Sequence, residues 1–349
     1  MAGASVAVPI RDREAARPAA GDYCLPAMAI VQLDTTGGSR GGDSDEALAL
    51  RALRLRAADA LERAYRFLEA QPDEWARLRS RVLCGAEPAA RLASRIEQSQ
   101  QAGGHFPLGT LISGGGLGFP GLAPERADPD EIAILGTLEA FLVAVDAGLF
   151  HGDWVERAVR ALEARQSPDG AFRVRGPIVA EPGDGERAAL AADVFFTGMV
   201  AGMLGRTPVS KTHGLERAGE FVVAHFSPDA VEHEGYPALM ACSLFFTNVG
   251  HERSDELLQW CGRALEKGFR SGRIDAVATM RVLLSCDAQA MPGATFDVVE
   301  LLDRLLGEQA GDGGFAELSL TGPAGRTTQT FDAMLAIVRL CSALPALSE

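Results

Sequence analysis

The sequence predicts an all-α fold in which helices pair into a ring of about six inner and six outer members. Three observations carry that expectation. From residue 45 onward apolar residues recur at spacings of three and four, with no alternating Val/Ile/Thr run of the kind a strand needs. The helical segments alternate between those with one charged face and those apolar nearly all round. A short glycine-containing motif recurs where polar-faced segments end.

Gly, Pro and Asp punctuation divides the chain into segments over about 45–70, 73–84, 87–101, 129–147, 152–166, 187–204, 213–226, 236–249, 252–267, 274–286, 294–309 and 327–343. The connector 103–128 is long enough to lie over a cavity as a lid, and its GGGLGF stretch (114–119) follows no strand, so it reads as a flexible link and not a phosphate loop. The segment 131–148 is apolar nearly all round, as are 188–204, 235–246 and 330–341, so each must be buried on most sides. Between them, 161–166, 251–268 and 297–309 pair a charged face with an apolar one, as an outward layer should. A repeat of about 40 to 60 residues per helix pair fits a helical-hairpin array.

The punctuating motif is Gln-x-x-Asp-Gly-x-Phe. It stands as QSPDGAF at 166–172 and QAGDGGF at 309–315, with QQAGGHF at 100–106 as a degenerate copy. Gly170 and Gly313 can take positive φ and turn the chain sharply, Asp169 and Asp312 can bond local amides, and Phe172 and Phe315 can seal the turn.

Composition narrows the function. At 349 residues and 47% hydrophobic, the chain has ample material for a core, and repeated layers explain how one domain over 45–349 exceeds the usual limit of about 300 residues. Residues 1–44 end in a Gly/Ser/Asp string and are expected to form a flexible arm. A net charge of −14 without a basic stripe argues against nucleic acid as a partner. Six scattered cysteines without Cys-x-x-Cys spacing fit a reduced compartment. The N-terminus lacks a signal-peptide pattern, and no membrane span is expected, so a cytoplasmic protein is predicted.

The two good motif copies, each followed by an apolar helix, resemble the Gln/Trp-type repeats of squalene-hopene cyclases and their relatives. That superfamily, the terpenoid cyclases and protein prenyltransferase β-subunits, has an α/α toroid fold whose inner helices begin at the rim of a central cavity. The resemblance, over about 90–343, directs attention to the starts of the inner helices: Asp130 and Glu131, Asp193, then His233, Glu234 and Tyr236, then Arg273 and Asp275, and finally Thr328 and Asp332. Acids there also offset the helix dipole. Asp193 and Asp332 stand out because each lies a turn inside an apolar helix, where an unpaired carboxylate is costly.

Proton-initiated cyclases carry Asp-x-Asp-Asp-Thr at an inner helix start, and AspValPhePheThr at 193–197 matches it only at Asp193 and Thr197, with Phe195 at the general-acid position. An apolar wall would keep Asp193 protonated as a displaced acid. The HEGY stretch (233–236) and GFRSGRIDAV (268–277) are similar to prenyltransferase motifs, but Val277 replaces the ligand cysteine and no histidine stands near Gln329, so no metal, no other cofactor and no Cys-directed prenylation are expected. The reading implied by the resemblance is a cyclase-like enzyme with a hydrophobic isoprenoid or polyene substrate. Asp193, Asp332 and Glu234 are its candidate catalytic residues, and His233, Tyr236, Phe195, Phe196, Thr197, Asp275, Arg273 and Glu131 its substrate-binding ones. Two alternatives share the fold: a carboxylate-based glycan hydrolase or lyase, and a non-catalytic binding or scaffold toroid.

Overall fold

A computed structural model describes residues 45–109, 111, 122–179, 183–227, 236–286, 291–316 and 325–345. Among them are twelve α-helices and no extended strand pairing beyond two isolated bridges, Leu122 with Ile178 and Gln309 with Phe315. The helices are α1 (Asp45–Glu69), α2 (Glu74–Leu83), α3 (Ala89–Ser99), α4 (Pro129–Asp146), α5 (Asp153–Glu163), α6 (Gly185–Leu204), α7 (Thr212–His225), α8 (Tyr236–Asn248), α9 (Ser254–Arg270), α10 (Ala276–Ser285), α11 (Val298–Gly307) and α12 (Arg326–Ala343). The all-α expectation holds, and each segment read from periodicity has its helix. The predicted arm 1–44 and the GGGLGF stretch lie outside the described residues.

Local chemistry starts several helices. Asp73 and Asp297 cap α2 and α11 by accepting two backbone amides each. A capping box opens α4: Asp128 accepts from the Asp130 and Glu131 amides while the Glu131 side chain accepts from the Asp128 amide.

Packing follows the alternation of faces. In α4, α6 and α8 almost every residue beyond the first turns is buried, whereas α5, α9 and α11 bury one side only. The even-numbered helices touch in the order α4, α6, α8, α10, α12, α2, and odd-numbered helices pack against their flanks. The closest approach is between α6 and α8. A β-carbon on Gly198 would sit 3.1 Å from Ala241, and one on Gly202 would sit 2.7 Å from Leu244. Gly205 faces Asn248 in the same way, so contacts advance together along both helices and the two run parallel. Helix α6 is also the one described helix long and apolar enough to cross a membrane, a segment the sequence reading had not expected; 67% of its apolar window is buried inside the protein.

All three motif copies, the degenerate one included, make the same joint. The Gln side-chain amide donates once to its own turn and once to the next odd-numbered helix or its approach: Gln100 to Gly104 O (2.7 Å) and Trp154 O (2.8 Å), Gln166 to Gly170 O (3.0 Å) and Gly214 O (2.8 Å), Gln309 to Gly313 O (2.9 Å) and Ala60 O (2.8 Å). The motif phenylalanines are buried, and their amides donate to threonines of an apolar helix: Phe106 to Thr137 (3.2 Å), Phe172 to Thr197 (2.9 Å) and Phe315 to Thr330 (3.0 Å). Through Gln309 the last joint reaches back to α1, which also packs on α11 and α12.

Candidate functional site

The acids expected at the helix starts are mostly occupied by the backbone. Glu131 accepts from the amides of Asp128 (2.9 Å), Arg175 (2.7 Å) and Gly176 (2.7 Å), which ties α4 to the turn after Phe172. Asp275 caps α10, accepting from Ala278 N (2.8 Å), and burial raises its carboxyl above the usual range. Beside it Glu308 accepts from the Ala276 and Val277 amides and is pushed up to about 7, by burial first and with Asp275 adding. Arg273 is exposed on the turn between α9 and α10. His233 and Glu234 lie outside the described residues.

Asp193 does not have the apolar wall expected of a displaced acid. It is fully buried, but Arg175 Nε reaches both its oxygens at 3.1 Å, the Arg175 terminal nitrogen also bonds it, and Arg173 Nε lies 3.6 Å away. The guanidinium of Arg175 engages both carboxylate oxygens, which makes Asp193 the ion-pair partner of the turn after Phe172. Thr197 serves the Phe172 joint. Phe195 and Phe196, the expected lining residues, are buried and packed edge to face, 5.0 Å between ring centres.

Asp332 and Tyr236 belong together, in a centre to which four or more helices contribute. Arg281 on α10 reaches Asp146 at the end of α4 with contacts of 2.9 and 3.0 Å, and Asp332 on α12 at 3.5 Å. Arg79 on α2 donates to Asp146 (3.1 Å) and lays its guanidinium over the Phe331 ring, 3.8 Å from its centre. Tyr236, at the start of α8, is buried within electrostatic range of Arg281, Asp332 and Asp275. Two arginines thus face two aspartates, and a buried charge cluster is tolerable only with such balance.

The two aspartates are not equivalent. Asp146 takes the close contacts of both arginines and keeps 5% of its side chain exposed; Asp332 has only the 3.5 Å contact and keeps 13%. Burial raises the Asp332 carboxyl above the ordinary range, with Arg281 opposing and Asp146 adding. The Tyr236 phenol is also pushed up by burial, and so stays protonated. The centre therefore holds Asp146 clamped between two guanidiniums and, beside a buried phenol, an Asp332 whose carboxyl burial has raised.

Arg79, Asp146, Arg281 and Glu139 escaped the sequence reading. Glu139, in the middle of α4, is fully buried; Oε2 accepts from Gly109 N (3.0 Å) and Oε1 has no partner. Burial pushes its carboxyl up to about 8, against a small opposing effect of the Gly109 amide. Among the described residues no three His, Cys, Asp or Glu side chains gather as a metal site requires.

Comparison with protein-family models, with curated proteins and with solved structures gives no match to this chain.

Proposed function

We propose that the twelve helices close into an α/α toroid and that the chain is a cyclase-like enzyme acting on an isoprenoid or other polyene within it. The contact order of the even-numbered helices, the packing of α1 on α11 and the Gln309 bond to α1 support closure. So does Arg281, which joins α10 to α4, helices three places apart in that order.

One observation carries the chemistry: Asp332 is the carboxyl of the central cluster that is left weakly paired, partly exposed and raised by burial. In its protonated form, which burial favours, such a carboxyl can give its proton to an alkene carbon. The O–H bond breaks, a C–H bond forms, a carbocation remains on the substrate, and the new carboxylate is met by Arg281. The rearranged cation then returns a proton to the Asp332 carboxylate, a C–H bond breaking as a new C=C bond and the O–H bond form, so the acid is restored and the net change is isomerisation. Asp193, held by its arginines, and Glu131, held by three amides, serve the scaffold in this reading.

A second reading, a binding or scaffold toroid, is favoured by the charge balance of the Arg79–Asp146–Arg281–Asp332 cluster. Native mass spectrometry with farnesyl diphosphate, geranylgeranyl diphosphate, squalene and a panel of oligosaccharides separates the readings. The expected outcome is a one-to-one isoprenoid complex. Binding of oligosaccharides alone, or of none of these, would remove the isoprenoid reading.

A further inference from the structure

Glu139 combines features that no structural role described above explains. It lies on an apolar helix, is wholly enclosed, and has one oxygen bonded to a turn amide and the other bonded to nothing. The elements packed on α4 include α3, α5, α6, the turn that carries Phe106 and Gly109, the turn after Phe172 and, at the Asp146 end, α2 and α10. Among the described residues none of their titratable and charged groups bonds or pairs with Glu139: not Glu97 of α3, His105 of the turn, Arg157 of α5, Asp193 of α6, Arg173 or Arg175 of the turn after Phe172, Arg79 of α2 or Arg281 of α10, nor Glu131 and Asp146 on its own helix; burial and the Gly109 amide are what bear on it. A carboxylate with no countercharge in such a place is costly, so the closed form holds the neutral acid.

The same turn is what covers it. The Phe106 amide bonds Thr137, the Phe106 carbonyl lies against Gly136 so closely that a β-carbon there would collide, and the Gly109 amide bonds Glu139. Moving this turn off α4 breaks the Gly109 bond and opens Glu139 to water.

We propose that Glu139 is a proton-operated latch, which holds the Phe106–Gly109 turn against the middle of α4 when neutral and releases it when ionised. Asp146 follows Glu139 by seven residues, two helical turns less about 20°, so it lies on the same side of α4 about 10 Å further along. Release loosens the packing on the side of α4 that also carries Asp146. The latch stands independently of the chemistry proposed above, because it requires no substrate.

Its sign is fixed by linkage. The closed form holds the proton up to about pH 8 and the open form only to about 4.5, so opening becomes about tenfold easier with each pH unit across that window and levels off above it. Hydrogen exchange of single amides, corrected for intrinsic rates, reads this directly. Protection at Gly109 should fall about tenfold per pH unit between about 4.5 and 8. Phe172, whose amide bonds the Thr197 hydroxyl in the equivalent joint, should stay flat in the same sample. In Glu139→Gln, where the side-chain oxygen still accepts from Gly109 and cannot ionise, Gly109 should be flat as well. Flat protection at Gly109 in the native protein overturns the latch, as does an equal fall at Phe172 or an undiminished fall in Glu139→Gln. The comparison of Gly109 with Phe172 needs no variant, so it decides the matter even if Glu139→Gln does not fold.

Discussion

Asp146 takes both guanidiniums at close range, and that arrangement makes it the residue on which the central cluster depends. Its removal leaves two buried positive charges against one weakly placed carboxyl. Asp146→Ala is therefore expected to cost about 3–5 kcal/mol in urea unfolding, whereas Asp332→Asn, which gives up only the 3.5 Å contact with Arg281, should cost under about 1 kcal/mol. Equal losses would mean that the two aspartates share the arginines evenly. The sequence made Asp332 legible because a carboxylate stands out within TFDAMLAIVRLC, and Arg281 in AVATMRVLLS and Glu139 in LGTLEAFLVAV meet the same test. Arg79 does not meet it. It is one of three arginines in WARLRSRVL, and only packing distinguishes the one that turns inward. Asp193 was legible as anomalous, but its neutralisation by Arg175 comes from a turn eighteen residues earlier and has no periodic signature.

At the scale of the element, the joint is the unit that repeats. Its glycine needs positive φ and also close approach: φ is +85 at Gly104, +91 at Gly170 and +90 at Gly313. A β-carbon would lie 2.5 Å from Arg157 O at the first and 2.6 Å from Arg63 O at the third, with Gly170 pressed closer still against Arg217 O. Gly170→Ala should therefore destabilise by more than about 2 kcal/mol, while Gly109→Ala, at φ +71 with nothing within 4 Å of the new carbon, should cost only about 1 kcal/mol. Thermal unfolding of the two variants compares strain plus collision with strain alone, and equal shifts would argue against the collision. The joints were readable from their spacing because Gln, Gly and Phe act through local geometry. The degenerate copy works without the aspartate, whose bonds in the other copies run to nearby amides and exposed arginines. The threonines that receive the Phe amides were missed, since a single Thr in an apolar helix has many ordinary explanations.

Over the whole molecule, the alternation of polar-faced and apolar helices was the most legible property, because it follows from how much of each helix surface must leave water. Which residues meet at the centre was the least legible, because Arg79, Asp146, Arg281 and Asp332 come from four helices spread across more than 250 residues of chain. The proposed ring gives that meeting point a function, as an enclosed acid that faces an apolar substrate. The most direct test is product analysis after incubating the native protein and Asp332→Asn with squalene, farnesyl diphosphate and geranylgeranyl diphosphate. The expected result is cyclised product from one of these with native protein, reduced at least about a hundredfold in the variant at unchanged melting temperature. No product from the native protein, or equal product from both, would contradict the assignment of Asp332 as the acid of a cyclase-like site.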